Sequence, residues 1–298
     1  DGEVRVVPEI AAGMAINVIA LLSGMRSDEG AFNTFSGTSA GVLPAAGFAF
    51  NALNSCIFKA GTKTDVQKFY LEGREAYEDW INSYLRNAYK FMTGEDIDKV
   101  QGRHLKELGN NLEILVGKFN GNPASAESFM ILREVEKRYG LNPDDFGLAQ
   151  AAAMSANLVG LFFHPFDLTF GNCFLEKPDG GKDYILDAGI NSHNILPLDL
   201  LNEEIERYKK DPDQKPGLYF LIGNKKVDNN QIKELKGLGG NDIKRKFHMP
   251  LLGKIVLSVN EIIDEYLFSK PHELIGKLGA KRAYIEVSCT AIDPFSKD

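Results

Sequence analysis

The sequence predicts an α/β fold in which helices cover both faces of a mostly parallel sheet. Short apolar runs typical of strands alternate with helical patterns along nearly the whole chain. The first clear strand is joined to the next helix by a tight turn of small residues. A chain of 298 residues can bury the core of one large domain of this kind, and we expect a single domain over residues 1–298.

Composition is that of a globular protein, with 44% apolar and 25% charged residues. A formal net charge of -7 argues against a general nucleic-acid binder. No apolar run reaches the ~18–20 residues of a membrane span, and Ile10–Leu22 is too short and lacks the basic start expected of a signal peptide. The wide spacing of Cys56, Cys173 and Cys289 predicts reduced core thiols, with one disulfide as the alternative and no metal site.

Helices and strands are predicted in turn through the first half of the chain. Pro8 suits the first turn of a helix that continues to about Leu22, because the missing N–H of proline costs nothing there. The elements that follow are a strand at Ala31–Phe35, a helix from Val42 to about Leu53, a long helical region from Thr64 to Leu85, a strand at Leu112–Phe119, a helix at Ser128–Tyr139 closed by Gly140, and the small-residue run Ala151–Ala156. The aromatic stripe of the long helical region is expected to face the core rather than a ligand.

The second half begins with a predicted hairpin, because Pro178-Asp179-Gly180-Gly181 is strong turn chemistry. Its strands are expected at Asn172–Glu176 and Tyr184–Leu186. The remaining elements are a helix from about Pro197 to Tyr208, a surface linker at Lys209–Lys215, a strand at Gly217–Ile222, a polar loop at Lys225–Asn241, an amphipathic helix at Leu251–Phe268 and a final strand at Arg282–Cys289.

Gly37-Thr38-Ser39-Ala40-Gly41 has the G-x-S-x-G pattern of a nucleophile elbow. An elbow of this kind joins a strand to a helix and holds the serine hydroxyl exposed on a strained turn. The small neighbours of the serine would let strand and helix approach closely, and the start of the helix supplies backbone N–H groups. The pattern predicts that Ser39 is a nucleophile, against the competing interpretation of a plain Gly/Ser turn.

A serine hydroxyl needs a base, and two kinds of base are open. A Ser-His-Asp esterase would use His193 or His248, but its elbow normally follows several strands, whereas this one lies near the start of the sequence. A carboxylate that contacts the serine directly is the other choice. Asp179 is explained by hairpin chemistry, whereas Asp187 ends the buried-looking run Tyr184–Leu186 and precedes two small residues, which favours it as the base.

With these residues identified, the chain resembles the patatin-like phospholipase family, whose members use a Ser-Asp dyad in a three-layer α/β/α fold. The matching segments are Gly37–Gly41 for G-x-S-x-G, Ala153-Met154-Ser155-Ala156 with Phe163-His164-Pro165 for A-x-S-A and F-x-P, Asp187-Ala188-Gly189 for D-G-[GA], and Asn194-Ile195-Leu196-Pro197 for the segment that often follows. They occur in family order within residues 1–200. Over residues 201–298 only a similar α/β character is expected.

The family's first motif, D-G-G-x-R-G, is kept in part. Asp1-Gly2-Glu3-Val4-Arg5-Val6 has the Asp-Gly and the arginine, but Glu3 and Val6 replace glycines. The resemblance implies that backbone N–H groups from Gly2 to Arg5, together with that of Ala40, form the oxyanion hole. A competing interpretation makes Val4–Val7 a plain strand. Since the family's first strand precedes this loop, we expect a further segment ahead of residue 1.

The resemblance implies a lipid acyl hydrolase of the phospholipase A or lysophospholipase type that needs no metal or cofactor. Ser39 would attack the ester carbonyl of a phospholipid or lysophospholipid, and Asp187 would take the serine proton and later activate water. The implied location is the cytoplasm or a membrane surface, and a secreted effector would have a similar sequence. The competing function is a catalytically silent domain that binds lipid or a protein, which the substitutions Glu3 and Val6 suggest.

Contact with a membrane surface is a further expectation. The helix Leu251–Phe268 follows the basic cluster Lys244-Arg245-Lys246, an arrangement that can bind anionic lipid. Packing of this helix on the protein's own core is the competing interpretation, because Glu261, Asp264 and Glu265 weaken that attraction. A separate expectation concerns Phe162, Phe163 and Phe166, which are expected either to line an acyl channel or to pack in the core.

Overall fold

The computed structural model describes residues 13–15, 34–50, 69, 72–119, 127–157, 173–188, 202–203, 206, 209–211, 224–225 and 287–288. Several predictions fall outside these residues. They are the loop Gly2–Arg5, the disulfide candidates Cys56 and Cys289, the phenylalanines Phe162, Phe163 and Phe166, Gly189, His193, the segment Asn194–Pro197, the strand Gly217–Ile222, the basic cluster Lys244–Lys246, His248 and the helix Leu251–Phe268.

The protein has the predicted α/β character. Its elements are β1 (Thr34–Thr38), a 3-10 turn (Ser39–Gly41), α1 (Val42–Ala49), α2 (Arg74–Thr93), α3 (Gly102–Glu107), β2 (Asn111–Phe119), β3 (Glu127–Met130), α4 (Ile131–Tyr139), α5 (Leu148–Ser155), β4 (Phe174–Glu176), β5 (Lys182–Leu186), β6 (Asn224–Lys225) and β7 (Val287–Ser288).

Strand β2 is the centre of the main sheet. The strand order is β1-β2-β5-β4, and β3 also pairs with β2. β1 runs parallel to β2, whereas β3 and β5 run antiparallel to it and β4 pairs antiparallel with β5. The expected mostly parallel sheet is therefore mixed where the structure describes it, because the β4–β5 hairpin returns the chain directly on itself. The parallel pair β6–β7 forms a separate small sheet.

The core lies between β2 and the helices around it. All eight residues of α1 are buried, and the small side chains of α5 let this helix pack against both α2 and β2. The aromatic stripe on and before α2 lies in this core, as predicted: the ring centroids of Phe69 and Tyr77 are 5.0 Å apart, and Trp80 stacks on Tyr77 at 5.8 Å. Gly13, Met14 and Ala15 are helical, and Met14 packs against the same core.

Some element boundaries differ from the predicted ones. β1 continues to Thr38, three residues past its predicted end at Phe35, and runs directly into the turn. Residues 128–130, predicted as helix, pair with β2 as part of β3, so that α4 begins at Ile131. Its predicted C-cap is confirmed, because Gly140 has a φ of 67°. The predicted linker at Lys209 instead begins with helical residues.

Candidate active site

Ser39 lies where β1 ends and the turn into α1 begins. Its φ is 54°, and no other non-glycine residue of the described ranges has a positive φ. A side chain with a Cβ disfavours this left-handed conformation. The turn is therefore strained at the predicted nucleophile, as a nucleophile elbow requires.

The two glycines of the elbow have different roles. A Cβ built on Gly37 would lie 2.7 Å from the Cα of Val42 and closer still to the carbonyl oxygen of Gly41. Gly37 is thus required for the close approach of strand and helix. A Cβ on Gly41 meets no atom within 4 Å among the described residues, and its backbone is right-handed, with a φ of -65°. The close approach predicted for the small neighbours of Ser39 is confirmed at Gly37.

Ser155 holds the elbow from the end of α5. Its Oγ accepts a hydrogen bond from the Ser39 N–H at 2.8 Å and donates one to the Leu115 carbonyl at 2.6 Å. Ser155 is completely buried. Because Leu115 lies opposite Thr38 in the sheet, this single hydroxyl connects the elbow to the central strand. The A-x-S-A pattern singled out this serine, but no local signal in the sequence indicates its contact with Ser39.

Asp187 follows directly on the end of β5 and is buried, with 3% of its surface exposed. Asn157 fixes the backbone around it: the Asn157 side chain donates to the Ile185 carbonyl at 2.7 Å, and the Asn157 carbonyl accepts the Asp187 N–H at 3.2 Å. Ala188 is fully buried with Leu115 on β2. The predicted base is thus held in a dry environment beside the central strand.

The sheet brings Ser39 and Asp187 to the same level. β1 and β5 are the neighbours of β2 in the strand order. β1 is parallel to β2, and its last residue Thr38 pairs with Leu115. β5 is antiparallel to β2, and its last residue Leu186 pairs with Gly117. One residue further along each strand, Ser39 and Asp187 both fall level with Val116. The two predicted catalytic residues therefore lie at facing strand ends, with β2 between their strands.

Asp179 has the structural role that its turn sequence predicts. It is exposed, and its Oδ1 accepts the Gly181 N–H at 2.9 Å. Gly180 between them has a φ of 83°. The hairpin thus accounts for Asp179, and Asp187 is the buried member of the two candidates.

Of the other predicted site residues, some lie within the described part of the chain and some lie outside it. Ala40 lies in the turn directly after Ser39, at the start of α1. Gly2, Glu3, Val4, Arg5 and Gly189 fall outside the described residues. Within the described ranges His104 is the one histidine, and its Nδ1 accepts the Gln101 N–H at the start of α3. Burial lowers the pKa of His104, and this ring caps a helix.

Two further buried carboxylates belong to ion-pair networks. Arg133 on α4 donates to Glu113 on β2 at 2.5 Å and to Glu203 at 2.9 Å. Burial raises the pKa of Glu113, although Arg133 opposes this effect. Asp183 on β5 pairs with Lys177 at 2.9 Å and accepts the Tyr139 hydroxyl at 3.2 Å. These networks join elements of the fold to one another.

In the part of the chain that the structure describes, no group of three His, Cys, Asp or Glu side chains could hold a metal ion. No helix of the described ranges has the length and apolarity needed to cross a membrane.

The predicted thiol Cys173 is buried and free, and burial raises its pKa to about 11.

No protein-family model matches the chain. The chain is similar to the uncharacterized protein YqhO of Bacillus subtilis (strain 168), with 27% identity over 188 residues. The match covers 59% of this chain and 59% of YqhO, so the chain spans about three-fifths of the length of this relative. Since YqhO is itself uncharacterized, the similarity indicates a relationship and no activity.

Proposed function

We propose that the protein is a patatin-like lipid acyl hydrolase, of phospholipase A or lysophospholipase type, which cleaves carboxylic esters through Ser39 and Asp187. The observation that carries the proposal is the left-handed backbone of Ser39 between a strand and a helix. The buried carboxylate of Asp187 at the facing strand end supports it. The three-layer arrangement of the patatin-like family is the fold that goes with this proposal.

In the proposed reaction, the Oγ of Ser39 attacks the ester carbonyl while its proton passes to the Asp187 carboxylate. The tetrahedral intermediate collapses, the bond to the alcohol oxygen breaks, and the alcohol leaves with the proton from Asp187. Water then attacks the acyl-enzyme and gives a proton to Asp187. When this second intermediate collapses, the proton returns to Ser39 and the fatty acid is released.

The developing oxyanion needs hydrogen-bond donors that are already in place. Ala40 is the first candidate, since its N–H follows the nucleophile at the N-terminal end of α1, where the helix dipole favours negative charge. The loop Gly2–Arg5 is proposed as the second source, by resemblance to the family. No metal or cofactor takes part in this scheme.

Burial supports Asp187 over Asp179 as the base. A carboxylate with 3% of its surface exposed is shielded from bulk water. In the proposed reaction Asp187 therefore exchanges its proton with the serine or the hydrolytic water and not with bulk solvent. The Asp179 carboxylate is exposed and accepts the N–H of Gly181. The two residues therefore form a matched pair for testing the assignment.

A fluorophosphonate probe tests the proposal, because it reacts covalently with activated serines. We expect labelling at Ser39 and none in Ser39→Ala. Asp187→Asn should lower the labelling rate by about 100-fold or more, in the range typical of a lost general base, while the control Asp179→Asn stays within about twofold of wild type. Wild-type protein that neither reacts with the probe nor hydrolyses an ester would contradict the proposal.

A second candidate is a patatin-like domain that binds lipid or a protein without turnover. Glu3 and Val6 favour it, because they replace glycines in the loop that should face Ser39. Steady release of fatty acid from phospholipid vesicles by wild type, absent in Ser39→Ala, would exclude it. The third candidate, a Ser-His-Asp esterase, is excluded if His193→Ala and His248→Ala keep full activity.

The proposed substrate is a phospholipid or lysophospholipid, and the proposed location is the cytoplasm or, through peripheral contact, a membrane surface. Residues 1–298 form one catalytic domain in this proposal, with the motifs in residues 1–200.

A further inference from the structure

We infer that Ser155 is a positioning residue that sets the backbone of the nucleophile Ser39. This inference rests on the proposed function. The A-x-S-A segment to which Ser155 belongs has no part in the reaction steps, yet its serine is completely buried and bonded to the elbow. Ser155 therefore acts through Ser39 and not on the substrate.

The hydrogen bonds of Ser155 have a defined direction. A serine hydroxyl has one proton, and that of Ser155 goes to the Leu115 carbonyl at 2.6 Å. The lone pairs of its oxygen then face the Ser39 N–H, which donates at 2.8 Å. The hydroxyl thus fixes the orientation of the peptide group at the residue whose φ is 54°.

The same end of α5 also fixes the base. Asn157 lies two residues after Ser155 and bonds the backbone on both sides of Leu186, at the Ile185 carbonyl and the Asp187 N–H. One short segment, residues 155–157, therefore holds both the proposed nucleophile Ser39 and the proposed base Asp187. The position of Ser39 relative to Asp187 depends on α5 as well as on β2.

Loss of the hydroxyl should change reactivity and not stability alone. Ser155→Ala leaves the Ser39 N–H and the Leu115 carbonyl without this partner in a buried place. The strained backbone of Ser39 is then free to relax toward an ordinary φ, which moves its Oγ. A misplacement of ~1 Å in a catalytic group can lower the rate about 100-fold.

Three measurements on the full chain test the inference: the fluorophosphonate labelling rate per folded molecule, the hydrogen-exchange rate of the Ser39 amide, and unfolding in urea. For Ser155→Ala we expect labelling to slow by at least about tenfold and the Ser39 amide to exchange at least about tenfold faster. The control Ala151→Gly changes a buried residue of the same helix. It should lower stability while the labelling rate per folded molecule stays within about twofold of wild type, and its Ser39 amide should exchange faster only by the factor that the loss of unfolding free energy predicts.

Ser155→Cys covers the case in which the alanine variant fails to fold, because it keeps the shape but replaces the hydroxyl by a weak donor and acceptor. Its labelling should slow by about fivefold or more. Labelling at the wild-type rate in either variant overturns the inference, as does an equal loss in Ala151→Gly. Wild-type protein that is not labelled contradicts the proposed function instead, and the Ser39 amide exchange then decides alone whether Ser155 holds the turn.

Discussion

Gly37 and Ser39 shape the elbow in different ways. Gly37 is needed because a side chain there would collide with the backbone where α1 begins. Ser39 adopts a left-handed backbone although its Cβ disfavours it. Strain of this kind persists only where the surrounding contacts enforce it, and the bond from Ser39 to Ser155 is one such contact.

The glycines give a paired prediction. Gly37→Ala should lower the free energy of unfolding by ~1–3 kcal/mol or more, because backbone atoms at 2.7 Å must move. Gly41→Ala should be neutral or stabilising by ~0.4–1 kcal/mol, since its right-handed backbone suits alanine. Urea unfolding of both variants measures the difference. Equal destabilisation by the two substitutions would show that the steric argument is wrong.

Single residues of the site differ in how far the sequence predicts them. Ser39 and Asp187 stand in short patterns with a physical meaning, and the structure gives them the predicted strained turn and burial. The contact between Ser155 and Ser39 joins positions 116 residues apart. No local pattern encodes such a hydrogen bond, because it depends on where α5 packs.

At the scale of elements, Arg133 connects α4 to the central strand through Glu113 and to the segment around Glu203. The side chain of Glu113 is 8% exposed and that of Glu203 is 62% exposed. Taking a carboxylate out of water disfavours its charged form. The link between α4 and β2 should therefore depend on pH, whereas the outer pair is exposed and should contribute little stability.

Stability as a function of pH tests this difference. The folded-state pKa of Glu113 is raised above its ordinary 4.5, so the contribution of this group is present in full below about pH 4.5 and is lost as pH rises through the folded pKa. The advantage of wild type over Glu113→Gln in urea unfolding should shrink from acid to neutral pH. Glu203→Gln should stay within ~1 kcal/mol of wild type at each pH, as for an exposed pair. A gap between wild type and Glu113→Gln that is constant with pH would refute the assignment.

Element types follow from the sequence more securely than element boundaries do. The hairpin was predicted because Asp179 and Gly180 have a specific turn chemistry, which the structure confirms. Residues 128–130 are predicted as the start of the helix that ends at Tyr139, but their pairing with β2 prevails. Pairing with a distant strand overrides local preference, and it cannot be read from the segment alone.

At the scale of the whole molecule, the core around Cys173 keeps this thiol out of water. Cys173 is 7% exposed, and its carbonyl accepts the Ile185 N–H next to the candidate site. Its thiol is therefore a reporter of whether this part of the molecule is folded.

Alkylation by iodoacetamide uses this reporter. A pKa of about 11 in place of the ordinary 9.0 leaves about 100-fold less reactive thiolate at pH 8. Native Cys173 should therefore react at least about 100-fold more slowly than the unfolded chain in urea, with mass spectrometry of its peptide as the measurement. Rapid alkylation of the folded protein would mean that the core opens at this position.

The sheet topology is the part of the fold that the sequence predicts least. Alternating elements indicate the α/β class, but the order β1-β2-β5-β4 and the antiparallel direction of β5 depend on how distant segments pair. That pairing places Asp187 opposite the elbow across β2. Hence the sequence predicts Ser39 and Asp187 as site residues, whereas their position at facing strand ends on either side of β2 follows only from the folded sheet.

The hydrogen bond between Ser39 and Ser155 also has a stereochemical consequence. The amide of Ser39 points toward Ser155, so the next amide of the turn, that of Ala40, is the one beside the reacting oxygen in the proposed reaction. In the proposed reaction, an ester at Ser39 would meet this donor from one side only, since the buried Ser155 already takes up the Ser39 amide on the other. The two faces of its carbonyl would then be inequivalent, so the proposed reaction should favour attack on one face of the ester.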